Sequence, residues 1–384
     1  MKSWIHHQRG RVLRQAHVEL DALDGLKEDE LSRQGFSGRV AEFYRRNEPT
    51  AWTRIEGTIR PWDLDGFMLE PEDLHDPRGK PLRVFHNADV TISISRRSAP
   101  MPYYARSAEG DQVFFVHEGT GTFATEFGPI PYEPGDYIII PKGVTYCIVP
   151  DDDRNYFLII ESVGEIEWYD FGPLGRHMPF DPALLFIPSP TDASPTKADT
   201  GQIEWEVQIR YDNETSSIFY PFDPFDVEGW KGDLFPTKLN IRDYRPIVSD
   251  RMHLMPSAHG IFQAPGFIIC NFLPRPAEGE YEAERIPPFH RNIDCDEMMF
   301  VHGAKLHNSS MAPATMTLLP QGLHHGLPDS LAKQVRANWK KDDYYDQKLI
   351  AVDTTKPLRI TEEAKCALRA VDQIRNAKLM DPDA

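Results

Sequence analysis

Hydrophobic residues in this chain come in short bursts cut by glycine, proline and aspartate, which is the rhythm of strands rather than helices. Between about 83 and 165 the bursts are 113-VFFVH-117, 121-GTFATEFG-128, 137-YIIIP-141 and 157-FLIIE-161, with turns such as 134-PGD-136. A second series, from about 265 to 353, runs through 267-FIICNFL-273, 297-EMMFVH-302, 315-TMTLL-319 and 348-KLIAV-352. Between them, 203-IEWEVQIRY-211 alternates strictly and puts Ile203, Trp205, Val207, Ile209 and Tyr211 on one face of a half-buried strand. Short strands at close spacing predict a mainly β chain of antiparallel sandwiches or barrels. Two stretches break the rhythm. In 38-GRVAEFYRRN-47, Val40, Phe43 and Tyr44 fit one face of a short helix. In 361-TEEAKCALRAVDQIRNAK-378, Thr361 is placed as N-cap, acidic residues fill the first turn, and Ala364, Ala367, Leu368 and Val371 recur at helical spacing.

The pattern divides the chain into an N-terminal extension (1–82) packed on the first β-domain, that domain (83–186), a connecting segment (187–264), a second β-domain (265–353) and a helical tail (354–384). The connecting segment opens on 187-IPSPTDASPTKADTG-201, whose Pro, Ser and Thr content reads as a surface linker.

The two β-domains are related in sequence. The stretches 104-YARSAEGDQVFFVH-117 and 289-FHRNIDCDEMMFVH-302 share Arg106/Arg291, Asp111/Asp296 and the closing Phe-Val-His, and 141-PKGVTY-146 faces 320-PQGLHH-325. The second copy carries His290, Glu297 and His325 where the first carries Ala105, Gln112 and Tyr146. Every potential metal ligand in one half has lost that capacity in the other. This is the expectation for a duplicated domain in which one site kept its chemistry and its twin became scaffold.

The order H-x-N-x(4)-E followed by P-x-G-x-x-H is the spacing of the cupin family, so the chain is expected to be a bicupin of two β-barrels. Neighbouring strands of a small barrel point a few side chains into its mouth, and two imidazoles with one carboxylate leave other coordination positions open. That set points to non-haem Fe(II) and oxygen activation, while ligand type alone leaves Mn, Ni and Zn open. Asn292 stands where many cupins have a further histidine. His324 neighbours His325 and is expected to face the other way. His117 and His302 are equivalent across the repeat and are expected to pack.

Composition narrows the partners. The 384 residues, 40% hydrophobic and 11% aromatic, suffice for two core-forming domains. A formal charge of -17 opposes nucleic acid and anionic membrane. No stretch approaches the length of a membrane-spanning helix, and 1-MKSWIHHQRGRVLRQ-15 lacks the apolar run of a signal peptide. Cys147, Cys270, Cys295 and Cys366 are scattered and read as reduced thiols of a cytoplasmic protein, Cys295 as a buried small residue.

At 37-SGRVAEFYRRNEPTAWTRIEG-57, 126-EFGPIPYEPGDYIIIPKG-143, 219-FYPFDPFDVEGWKGD-233, 259-HGIFQAPGFIICNFLPR-275 and 287-PPFHRNIDCDEMMFVHG-303 the chain resembles the homogentisate 1,2-dioxygenase family. The resemblance implies iron held by His290, Glu297 and His325. It also implies a ring-cleaving reaction of O2 with homogentisate or a related para-diphenol, giving a maleylacetoacetate-type product. The stretch 253-HLMPS-257 is similar to the one carrying that family's active-site histidine, which makes His253 the candidate acid/base and His259 its rival. Leu318 and Leu319 stand where relatives often have a histidine, which bears on the pocket. Barrel edges that need covering imply a homo-oligomer. Two other classes stay open at this point, a metal-dependent cupin isomerase and a non-enzymatic bicupin for binding or storage.

Overall fold

A computed structural model describes residues 6–17, 20–35, 37–192, 203–306 and 309–369. The predicted bursts are strands and the fold is mainly β. Asp111–Glu118 lies between Asp136–Ile140 and Tyr156–Ser162 in a seven-stranded sheet, and Asp296–Leu306 lies between Thr315–Leu319 and Tyr344–Thr354 in a nine-stranded one.

Alternation decides where the core sits. In the seven-stranded sheet, Phe114, Val116, Ile138 and Phe157 pack against Phe123, Ile130, Tyr146 and Ile148 of the six-stranded sheet. Their neighbours Val113, Phe115, Tyr137 and Leu158 point the other way, onto Met298, Phe300, Ile350 and Val352 of the nine-stranded sheet. Both faces are buried, so these strands read as unbroken apolar runs rather than as hydrophobic-polar alternation.

The extension departs from expectation. Ser37–Arg45 is a strand, not a helix, and forms an antiparallel hairpin with Lys27–Gln34. Lys27–Gln34 in turn pairs in parallel with Phe289–Asn292. The hairpin of the extension therefore completes the second β-domain, and Trp62–Asp65 adds to the same half by pairing with Thr315–Leu319, whereas its later part packs on the first, Asp73 accepting from Ser95 Oγ and the Arg96 amide at 2.5 and 3.0 Å. Main-chain pairing on both sides of Lys27–Gln34 outweighs a weak local helical period, and Val40 is left 52% exposed. The hairpin Trp205–Tyr211/Glu214–Tyr220 plays the matching part in the first half, pairing in parallel with Tyr104–Ser107. Only the middle of that alternating stretch is covered: Val207 is fully buried while Tyr211 is 71% exposed.

The tail differs too. Its described part is a short 3-10 turn, Glu363–Ala367, in which Thr361 Oγ1 accepts from the Ala364 amide and donates to the Arg83 carbonyl. Val371 and the rest of the expected helix lie outside the described residues, as does most of the expected linker. An unpredicted α-helix, Asp329–Ala337, starts after Pro328, with Asp329 bound to Lys333 one turn on and to Lys27.

Candidate metal centre

His290 and His325 are joined by backbone before any ligand is considered. The amide of each donates to the carbonyl of the other at 2.9 Å, and their rings lie 4.0 Å apart at 65°. His290 Nδ1 sits 2.9 Å from the Pro288 carbonyl and His325 Nδ1 3.0 Å from that of Leu323. A carbonyl can only accept, so each Nδ1 carries the proton and each Nε2 keeps its lone pair for a cation. Glu297, on the neighbouring strand, brings one oxygen 3.6 Å from His290 Nε2 and the other 3.3 Å from His325 Nε2. One donor atom from each of the three lies within 4.8 Å of the others, and all three side chains are buried.

The surroundings hold this geometry. Asn292 Nδ2 donates to Glu297 Oε1, and Ser32 Oγ donates to Asn292 Oδ1 at 3.0 Å. Asn292 thus orients the carboxylate. Burial and the neighbouring His325 push His290 down, toward its neutral, ligating form. Burial alone would raise Glu297, but His325 and His290 outweigh it and hold the carboxyl well below the usual range. Asp353 lies opposite Glu297 on the next strand and is pushed well above its ordinary value by burial and by Glu297.

The first half repeats the frame without the ligands. Ala105 and Tyr146 pair as His290 and His325 do, and Tyr146 donates to Gln112 Oε1 at 3.1 Å. What the copies share is structural. Asp111 accepts from the amides of Lys142 and Ile166 at 2.7 and 2.8 Å, and Asp296 from those of Gln321 and Leu358 at 2.9 and 2.8 Å. Gly143 and Gly322 have φ of 88° and 77°, a left-handed conformation that glycine adopts without strain, and donate to the carbonyls of Ser107 and Asn292 at 2.8 and 2.7 Å. In both halves, then, the same Asp and Gly fix the turn that presents the third position, and only the presented side chains differ. Motif strands on facing sheets of a small barrel, framing such a centre, are those of the cupin fold.

The remaining histidines go elsewhere. His324 turns away, accepting from Arg291 at 2.6 Å and lying 3.2 Å from Asp29. His117 and His302 meet each other, Nδ1 to Nδ1, at 2.9 Å. His253 is brought to Glu278 (3.3 Å) and Arg275 (3.5 Å), and Tyr345 donates to the same Glu278 carboxylate at 2.7 Å. His259 is fully buried, its ring 5.3 Å from that of Phe272, and burial together with Arg275 pushes it down to about 3. These two histidines share one cluster at the start of Tyr344–Thr354, whereas Asp353 stands beside Glu297 near that strand's end. Their described contacts are with that cluster and not with His290, Glu297 or His325. Ser32 and Asp353 are the residues of the centre that sequence reasoning missed. Only Asp353 carried a trace, as a carboxylate closing the apolar run 348-KLIAV-352.

Residues 85–241 match the family model described as Homogentisate 1,2-dioxygenase N-terminal. The chain is 27% identical, over 94% of its length and 96% of the relative's, to a Saccharolobus solfataricus protein named "Putative dioxygenase". It is 24% identical, over 94% of its length and 79% of the relative's, to Homogentisate 1,2-dioxygenase of Nitrobacter hamburgensis. Among solved structures, a Cupin 2 conserved barrel domain protein from Leptotrichia buccalis aligns over 72% of this chain and 88% of its own, at 10% identity and a TM-score of 0.33. The chain is thus similar to the homogentisate 1,2-dioxygenase family, by the model match over residues 85–241 and by the Nitrobacter relative, and the names of both relatives place them among oxidoreductases. Among the described residues no helix is long and apolar enough to cross a membrane.

Proposed function

We propose that this chain is an Fe(II)-dependent dioxygenase that opens the ring of homogentisate or a closely related para-diphenol with O2, giving a maleylacetoacetate-type product. The observation that carries the reading is the convergence of two Nε2 lone pairs and one ionised carboxylate, each fixed by a partner behind it. His290, Glu297 and His325 would hold the ion, and two imidazoles with one carboxylate are the donor set of oxygen-activating iron. Bound there, Fe(II) would lower the pKa of a ligating phenol and bring ring and oxygen onto one centre.

The chain's own share is placement and exclusion of water. The reciprocal backbone bonds fix the imidazoles, Asn292 fixes the carboxylate, and Met298, Phe300 and Leu318 close the sheet behind them. By the family resemblance, His253 or its rival His259 would take the phenol proton. We read the two pairs of sheets as two barrels, 83–186 and 265–353, flanked by the extension 1–82, the connector 187–264 and the tail 354–384. The outer strand Glu214–Tyr220, with Ile218 41% and Phe219 54% exposed, supports a homo-oligomer, and the free cysteines support the cytoplasm.

The test loads the protein anaerobically with Fe(II) and offers hydroquinones bearing acetate, carboxylate, amide or no substituent, following oxygen uptake and ring-cleaved product. Uptake with at least one member is expected. Indifference to oxygen, with Zn supporting turnover of another substrate, would replace this reading with an isomerase.

A further inference from the structure

Away from the centre just described, His17 is surrounded by three carboxylates. Its ring nitrogens lie 3.4 Å from Glu28, 3.2 Å from Glu30 and 3.9 Å from Glu42. Glu28 and Glu30 sit on Lys27–Gln34, Glu42 on Ser37–Arg45, and Glu30 faces Glu42 directly across the hairpin. Like charges directly opposite on paired strands repel. Among the described residues His17 is the one ion-pair partner of all three, so at most one positive charge meets three carboxyl groups, and burial, with Glu28 and Glu30 beside it, pushes Glu42 up to about 8 despite His17. Glu30 is 4% exposed, and its Oε1 has no hydrogen-bond partner. An orphaned carboxylate oxygen at such depth is costly unless a cation sits against it.

We propose that His17, Glu28 and Glu42, with Glu30 beside them, form a second cation site, for a divalent first-row metal ion. Donor atoms from His17, Glu28 and Glu42 already lie within 4.8 Å of one another. One imidazole with hard carboxylate oxygens suits Mn(II), Fe(II) or Zn(II) better than the thiolate-seeking ions. The His17 side chain keeps 19% exposure, which gives the ion a way in. The site is distinct from the first but borders it, because Glu30 lies beside His290 in the parallel register of Lys27–Gln34 and Phe289–Asn292. An ion here would tie the segment carrying His17 to the hairpin that supports the His290 strand.

Equilibrium dialysis of the chelator-stripped full-length protein against Mn(II) tests this independently of any catalytic reading. Wild type is expected to bind two equivalents, the Glu30→Gln/Glu42→Gln variant one, His325→Ala one, and the combined variant none. Melting curves verify folding of the variants. In Mn(II)-soaked wild-type crystals, anomalous density is expected between His17 and Glu42, a result that does not depend on any variant folding. A single wild-type equivalent, removed by His325→Ala, with no density at His17, would overturn the proposal.

Discussion

His290 and His325 hold each other through a reciprocal pair of main-chain hydrogen bonds, each 2.9 Å, so the backbone itself brings the two positions together. Removing one ring leaves that pair intact. His325→Ala is therefore expected to lose the ion of this centre while unfolding at nearly the wild-type temperature, and Tyr146→Phe, at the equivalent position of the first half, is expected to keep it. Metal analysis after gel filtration decides, and equal loss in the two variants would contradict a single ligating half.

Asn292 reaches Glu297 from behind, and Ser32 reaches Asn292. Partners of this kind are worth roughly 10–100-fold in metal affinity. Asn292→Ala should weaken binding by about that factor in a chelator competition, with Ser32→Ala showing a smaller effect. An unchanged affinity in Asn292→Ala would mean that Glu297 needs no help to point inward.

Asp296 satisfies two amides from beneath the turn that presents His325, and Asp111 does the same under the turn that presents Tyr146. Replacing either by Ala leaves these amides without their partner, at about 1–3 kcal/mol for a donor that stays buried, as the Leu358 amide does. Urea unfolding should show a loss for both variants, the larger one for Asp296→Ala. Only Asp296→Ala should also weaken metal binding, and the same weakening in Asp111→Ala would refute the division of labour between the halves.

The His117–His302 pair, His117 buried and His302 half-buried between the two large sheets, makes stability depend on pH. Burial, with the neighbouring His302, pushes His117 from 6.5 to about 3, and burial, with Lys348, pushes His302 to about 4. Between those values and 6.5 the unfolded chain binds protons that the native state refuses. This contribution is thus fully present above about 6.5 and is lost as pH falls toward about 3. A His117→Leu/His302→Leu variant should flatten the pH dependence of unfolding free energy between pH 6 and 4. An identical slope in variant and wild type would sink the assignment.

Glu278 works on the acid side. Burial would raise it, but His253, Arg275 and Tyr345 hold it down at about 2, against 4.5 ordinarily. Its contribution is present above about 4.5 and fades as pH falls toward about 2. Glu278→Gln should cost on the order of 2 kcal/mol at pH 7, with the gap to wild type closing at acid pH. A gap that stays constant down to pH 3 would show that the ion pairs contribute nothing.

Much of this protein was legible in its residues. The strands could be read because glycine, proline and aspartate turns cut the apolar runs to strand length, and the centre could be read because His290, Glu297 and His325 face Ala105, Gln112 and Tyr146 across a repeat. Both are short-range patterns of side-chain type, written along the chain. What tertiary structure alone decided is who pairs with whom. Residues 38–45 became part of a strand, the hairpin of the extension joined the second half, and Ser32 came to rest on Asn292, 260 residues away. These outcomes depend on main-chain hydrogen bonds between distant strands, and the backbone groups that make them are the same in every residue but proline, so they leave little mark on the sequence.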